Sequence, residues 1–231
     1  MANILAEGGW GETGQIASGQ VGSGQVGSGQ IGSGRSRAGY LWVKRAGDVL
    51  GALVLLAPLG LVALLLVVLN PWFNRGGLFF VQTRMGQGGQ PFQAWKFRSM
   101  TDATQVARGA FDALDRHRIT PLGGLLRRTR LDELPQVLNV LQGEMSLIGP
   151  RPDFFDHARV YAEQVPGYRE RHTVRPGISG LAQVEVGYVD GLDGLHAKVA
   201  ADLHYVRHAS LRLDLWIACR TLRVVLGAKG A

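Results

Sequence analysis

Asp132 and Glu133 stand side by side in the run Leu131-Asp132-Glu133-Leu134-Pro135-Gln136, with Arg127, Arg128 and Arg130 just upstream. An aspartate is ionised at neutral pH without assistance, and carboxylates form phosphoryl-enzyme intermediates. At the start of a helix, free N–H groups and the dipole favour an anion. A phosphate held there can meet one carboxylate that attacks phosphorus and a second that binds a metal. The simpler reading is structural. Asp132 falls at or near an N-cap, and Pro135 fits a first helical turn. Residue types and spacing leave both readings open, and the three arginines favour phosphate chemistry.

Other segments carry cations suited to the same task. In Gly149-Pro150-Arg151-Pro152 two prolines fix the backbone around one arginine, which suits a pre-positioned guanidinium at a diphosphate. A rigid turn with a surface arginine is the alternative. Lys96-Phe97-Arg98-Ser99-Met100 closes an apolar run, and strand alternation puts Lys96 and Arg98 on one face. Val174-Arg175-Pro176-Gly177-Ile178-Ser179-Gly180 reads as a punctuated loop or turn. His204 and His208 are four apart, but no glutamate follows His204 as a zinc-peptidase helix requires. Cys219 is the only cysteine, which rules out a disulfide within the chain; its apolar neighbours suggest a packing role.

The elements that must position these groups begin with a long apolar segment, Val49 to Leu69, interrupted by Pro58. As a helix it is roughly 31 Å long, close to the hydrocarbon thickness of a bilayer, so length by itself suits a spanning helix. It begins far from Met1 and lacks a cleavage site, so it is not a signal peptide. Pro58 removes a backbone donor in mid-segment and favours a kink. Basic residues flank both sides: Arg35, Arg37, Lys44 and Arg45 before, Arg75, Arg84, Lys96 and Arg98 after. The positive-inside tendency then places both flanks in the cytoplasm, as a re-entrant helix broken at Pro58 would. Residues 16–34 repeat a Gly/Ser/Gln-rich five-residue unit, and residues 1–39 read as a flexible tail.

Beyond the membrane segment, Leu78–Arg84 and Phe92–Arg98 predict a β-hairpin around Gly86-Gln87-Gly88-Gly89. Residues 103–118 read as a polar loop or short surface helix. Thr120-Pro121 starts a helix, Glu133–Gln142 is a second that stops at Gly143, and 192–208 is a third. The last, 211–226, mixes apolar and basic residues as an interfacial helix does. The expected class is α+β, mainly helical, with three parts: tail 1–39, membrane-embedded helix 40–73, and catalytic domain 74–231. A formal charge of +7 favours anionic partners. Nucleic acid is not expected among them, since no nucleic-acid-binding module is present.

Taken in order, the motifs resemble the bacterial sugar transferase family, the monotopic phosphoglycosyl transferases that begin exopolysaccharide and glycoconjugate assembly. The likeness runs from Lys44 to Leu226. It rests on KRAGD (44–48), the Pro-interrupted apolar segment, KFRSM (96–100), LDELPQ with LNVLQGEMSLIGPRP (131–152), VRPGISGLAQV (174–184) and ADLHYVRHASLRLDLWI.

The resemblance implies Asp132 as the nucleophile that takes a sugar-1-phosphate from a UDP-sugar and releases UMP. It implies Glu133, with Asp132, as a holder of Mg²⁺, and Arg151 and Arg127 as contacts to phosphate or nucleotide. Lys96, Arg98, Arg175, Pro150 and Pro152 complete the expected substrate-binding set. Polyprenyl phosphate is the implied acceptor and the lipid bilayer a partner, with a homodimer as a further candidate assembly. The implied location is the bacterial inner membrane, with the catalytic domain facing the cytoplasm. Two positions depart from the family pattern: Ala57 replaces the usual serine before the membrane proline, and Glu185–Asp190 replaces the usual Gly-Arg-Asn. Two other readings remain: a glycosyltransferase that moves only the sugar and releases UDP, and a non-catalytic membrane scaffold.

Overall fold

The computed structural model describes residues 34–74, 76–101, 109, 116–187 and 191–227. The repeat-bearing tail through residue 33, Arg75, most of the polar stretch expected at 103–118, and Tyr188–Asp190 lie outside the described residues. The fold is mostly helical with a small hairpin, as the apolar periodicities predict. Helix α1 spans Gly34–Phe73, β1 is Phe79–Met85, β2 is Pro91–Phe97 and α2 is Pro121–Arg128. Then follow α3 (Gln136–Gln142), β3 (Ser146–Ile148), α4 (Phe155–Gln164), β4 (Gly177–Ser179), α5 (Leu181–Glu185), α6 (Gly191–His208) and α7 (Leu211–Leu226).

The apolar segment departs from its expected form in two ways. α1 starts at Gly34, inside the stretch expected as tail, and its helical backbone continues through Pro58 to Phe73. The expected helix break at Pro58 is therefore corrected to one continuous helix. Proline removes a single ladder bond, and packing on both sides of it holds the helix on. Ala52, Leu55 and Leu56 pack with Ala94, Val137, Val140 and Met145, while Leu59, Val62 and Leu66 pack with Phe97 and Leu126.

Both ends of α1 are tied to the same folded body. Tyr40 and Lys44 donate to Asp214 of α7 at 3.0 and 3.1 Å. Arg45 donates to the terminal carbonyls Val140 and Leu141 of α3, and Asp48 accepts from Ser146 Oγ and Leu147 N–H at 3.0 Å each. At the far end Asn74 donates to the Arg98 carbonyl at 2.7 Å and accepts from Thr120. The outer face stays apolar and exposed, through Leu50, Leu53, Val54, Leu61, Leu64, Val67 and Trp72.

β1 and β2 pair antiparallel, with Phe80 opposite Lys96 and Arg84 opposite Phe92. Asn139 of α3, fully buried, fixes this hairpin: it accepts from the Trp95 N–H at 3.1 Å and donates to the Gln93 carbonyl at 2.7 Å. Thr120 caps α2 by accepting from the Gly123 N–H, as the Thr-Pro signal predicts. The parallel pair β3–β4 was not expected. It brings the Gly149 and Gly177 loops into backbone contact, and a Cβ on Gly177 would lie 2.1 Å from Gly149 N. Cys219 is exposed on α7, which corrects its expected packing role: the apolar neighbour that turns inward is Ile217.

Candidate active site

Asp132 and Glu133 lie on one 3-10 turn, Leu131–Glu133, between α2 and α3. The chain enters it through Arg130, held in the left-handed region at φ 59°, the one non-glycine residue of positive φ among the described residues. That conformation costs a residue with a side chain on the order of 1 kcal/mol. The single helix expected over Glu133–Gln142 is thus divided into this turn and α3, whose N-cap is Pro135. Neither carboxylate occupies a cap position: the turn's N-cap is Arg130 and that of α3 is Pro135. The bland explanation for Asp132, a helix cap, therefore lacks its position.

The two carboxylates are equally buried, each 5% exposed, yet differently partnered. Lys96 Nζ donates to Glu133 Oε1 at 2.7 Å, Arg151 Nη1 donates to Oε2 at 2.7 Å, and Arg151 Nη2 also reaches Oε1. Burial alone would raise the Glu133 carboxyl, but Arg151 and Lys96 more than offset it and hold it well below the usual range. Asp132 has no hydrogen bond to any described side chain. Burial, reinforced by Glu133, raises its carboxyl above the ordinary value against the pull of Lys96, Arg127 and Arg151.

Cations dominate the surroundings. Lys96, Arg127 and Arg151 act on Asp132, and Arg130 and Arg84 join the same field. Burial, opposed by Glu133, pushes the Lys96 ammonium down to about 8. Burial and Arg151 push Arg84 down to about 10. Among the described residues, these five cations thus face Asp132 and Glu133, with Asp153 as a third carboxylate acting on Arg84 and Arg151 from the other side. A concentration of uncompensated buried positive charge is unfavourable in the empty protein and suits a multiply charged anion.

The segment that carries Arg151 is held at four successive carbonyls. Pro150 accepts from Gly177 N–H at 3.0 Å, and Arg151 from Arg171 Nη2 at 2.7 Å. Pro152 accepts from Arg84 Nη1 at 2.7 Å, and Asp153 from Met85 N–H at 3.1 Å. The prolines supply the fixed φ angles, and three separate elements supply the donors.

Residues 39–228 match the family model described as bacterial sugar transferase. The chain belongs to that family. It is 40% identical over 195 residues to the UDP-N-acetylgalactosamine-undecaprenyl-phosphate N-acetylgalactosaminephosphotransferase of Aeromonas hydrophila, covering 83% of this chain and 45% of that relative. It is 40% identical over 199 residues to the UDP-glucose:undecaprenyl-phosphate glucose-1-phosphate transferase of Caulobacter vibrioides, covering 81% of this chain and 71% of the other. An exopolysaccharide production protein of Rhizobium leguminosarum is 41% identical over 191 residues, 79% of this chain and 94% of that protein. The chain therefore spans less than half of the Aeromonas relative but most of the other two.

Of the residues singled out from the transferase sequence, Asp132, Glu133, Lys96, Arg127 and Arg151 come together. Arg98 does not join them. β2 ends at Phe97, and just beyond it Arg98 Nε turns to the Gly77 carbonyl at 2.9 Å. Arg175 lies apart too, donating to the Gly143 carbonyl at the end of α3 at 2.9 Å. Arg84 and Arg130 were missed. Arg84 shares a face with Lys96 by strand register, a signal that was available in the Gln82-Thr83-Arg84 alternation.

The same donor set bears on Mg²⁺. Both Glu133 oxygens already accept from cations, Asp132 is unbonded, and no cluster of three acidic, His or Cys residues exists among the described residues. That set makes no closed protein cage. It fits the way Mg²⁺ is commonly held, by one or two carboxylates together with substrate phosphates.

Proposed function

We propose that this transferase moves a sugar-1-phosphate from a UDP-sugar to polyprenyl phosphate and releases UMP, with Asp132 as the covalent nucleophile. The observation that carries the reading is Asp132 itself: a buried carboxylate with no side-chain hydrogen bond, surrounded by cations that have too few anions to pair with. A residue kept for structure is normally satisfied. One that must attack phosphorus has to keep at least one oxygen free.

In the first step an Asp132 oxygen attacks the phosphorus bearing the sugar. The bond from that phosphorus to the bridging oxygen breaks, and the electron pair leaves with UMP. Arg151 and Lys96 lie beside the dyad and stabilise the equatorial oxygens as charge spreads over them. In the second step an oxygen of polyprenyl phosphate attacks the same phosphorus, breaks its bond to Asp132, and leaves as the polyprenyl diphosphate sugar. Asp132 and Glu133 would hold Mg²⁺, whose charge supports departure of the nucleotide. The names of the Aeromonas and Caulobacter relatives, which specify undecaprenyl phosphate and a UDP-sugar, support this substrate pair.

The form of α1 supports the membrane arrangement proposed. Its apolar outer face is suited to lipid, while polar anchors near both ends bind one body. A monotopic insertion, with both ends and the site on the cytoplasmic side of the bacterial inner membrane, satisfies both features. Cysteines introduced at Gly39 and Gly77 in a Cys219→Ser background should label from the same side. Labelling from opposite sides would refute the arrangement.

The reaction is tested by incubating the purified protein with Mg²⁺, polyprenyl phosphate and a panel of UDP-sugars. UMP as the nucleotide product is expected. UDP would indicate transfer of the sugar alone, and no nucleotide product at all would indicate a scaffold.

A further inference from the structure

Behind Arg151 lies a second buried charge cluster that the proposed chemistry does not use. Arg171 is 1% exposed and spends all three guanidinium nitrogens. Nε donates to Asp202 Oδ2 at 2.9 Å, Nη1 to Asp153 Oδ2 at 2.6 Å, and Nη2 to the carbonyl of Arg151 at 2.7 Å while also lying 2.6 Å from Asp202. Lys198 Nζ holds the other Asp153 oxygen at 2.5 Å, and Tyr168 donates to Asp153 at 2.8 Å. Two cations and two carboxylates balance. The carboxylates come from the Arg151 segment and from α6, so the cluster ties that helix to the phosphate-facing loop.

We infer that Arg171 is a positioning residue for the transfer reaction: it holds the Arg151 backbone so that the Arg151 guanidinium is set before substrate arrives. The inference rests on the phosphosugar-transfer reading. Its physical basis is the forked guanidinium, which reaches Asp202, Asp153 and a carbonyl at once, whereas a lysine ammonium has a single nitrogen. Arg84, half-buried, grips the next carbonyl, that of Pro152, so two arginines hold consecutive peptide units. An arginine already oriented by its own backbone loses less on engaging phosphate than one that must be ordered by it. Small misplacement of a group that stabilises a transition state is costly in rate.

The test is a double-mutant cycle on UMP release, using the full-length protein, a UDP-sugar accepted by the wild type, and polyprenyl phosphate. Arg171→Lys keeps the charge and removes the fork. If Arg171 acts through Arg151, Arg171→Lys alone lowers kcat/KM about tenfold, mostly in kcat. In the Arg151→Ala background it lowers kcat/KM by less than about twofold. Additive losses in the two backgrounds would overturn the inference, because a general structural role damages both proteins equally. Wild-type protein that yields no UMP would instead refute the underlying functional reading, so the two failures are distinct. Should Arg171→Lys fail to fold, Lys198→Met loosens the same cluster from its more exposed end. It must show the same non-additivity with Arg151→Ala, and additive loss there overturns the inference as well.

Discussion

Two buried charge clusters sit back to back across the Gly-Pro-Arg-Pro segment, and they are built on opposite rules. In the Asp153–Arg171–Lys198–Asp202 cluster charges balance and every ion has a partner within 3 Å. In the Asp132–Glu133 cluster cations exceed carboxylates, one carboxylate is doubly paired and the other has no bonded side chain. Burying charge is expensive in either case. The balanced cluster offsets most of that cost internally, leaving a single buried oxygen, Asp202 Oδ1, without a partner among the described residues, and serves as a support. The unbalanced one leaves part of the cost standing, and an anionic ligand bearing phosphates would relieve it.

This contrast is most exposed at Asp132. Asp132→Asn should abolish UMP release, by a factor of at least about 10⁴, while leaving the melting temperature unchanged or slightly higher, because burial already disfavours that carboxylate's charge. Comparing turnover and thermal melting in one preparation checks both halves. Asp202→Asn should do the reverse in emphasis. Removing one member of a buried, bonded pair costs about 3–5 kcal/mol, so a large fall in melting temperature is expected and activity is lost chiefly with the fold.

Glu133→Gln sharpens the comparison from inside the active cluster. It leaves Lys96 and Arg151 without their shared acid, and we expect about a hundredfold loss in kcat/KM. The smallest effect is in pH. Lys96 loses its charge as pH rises through about 8, so kcat/KM, which reports free-enzyme ionisations, should fall above that value by about tenfold per unit. Stability moves the other way. Between about 8 and its ordinary value the unfolded lysine binds a proton that the folded one has shed, so folding gains as pH rises. Lys96→Arg should move the falling limb out of the measured range. Glu133→Gln should move it lower, since Glu133 is the residue that opposes the depression.

The active cluster was largely legible in the sequence because its members sit in short runs with their own physical signature. Asp132-Glu133 stands among arginines, Arg151 lies between prolines, and Lys96 closes a strand. The hairpin, the Thr120 cap and the stop at Gly143 were legible for the same reason: each is a local rule. The support cluster was not. Asp153, Arg171, Lys198 and Asp202 meet only through tertiary packing, and each alone resembles a surface charge. β3 and β4, three residues each, are too short to show a period. Pro58 misled in another way, since the local rule for a break was sound but packing on both sides overrode it. Arg98 lies one residue past the end of β2, and its side chain turns to the Gly77 carbonyl.

The most direct test of the account is intact-mass and peptide mass spectrometry of the purified transferase after brief reaction with an accepted UDP-sugar in the absence of polyprenyl phosphate. The protein should gain one sugar phosphate on Asp132, with one UMP released per adduct, and Asp132→Asn should gain none. Rapid UMP release from protein that never carries a modified Asp132 would contradict it.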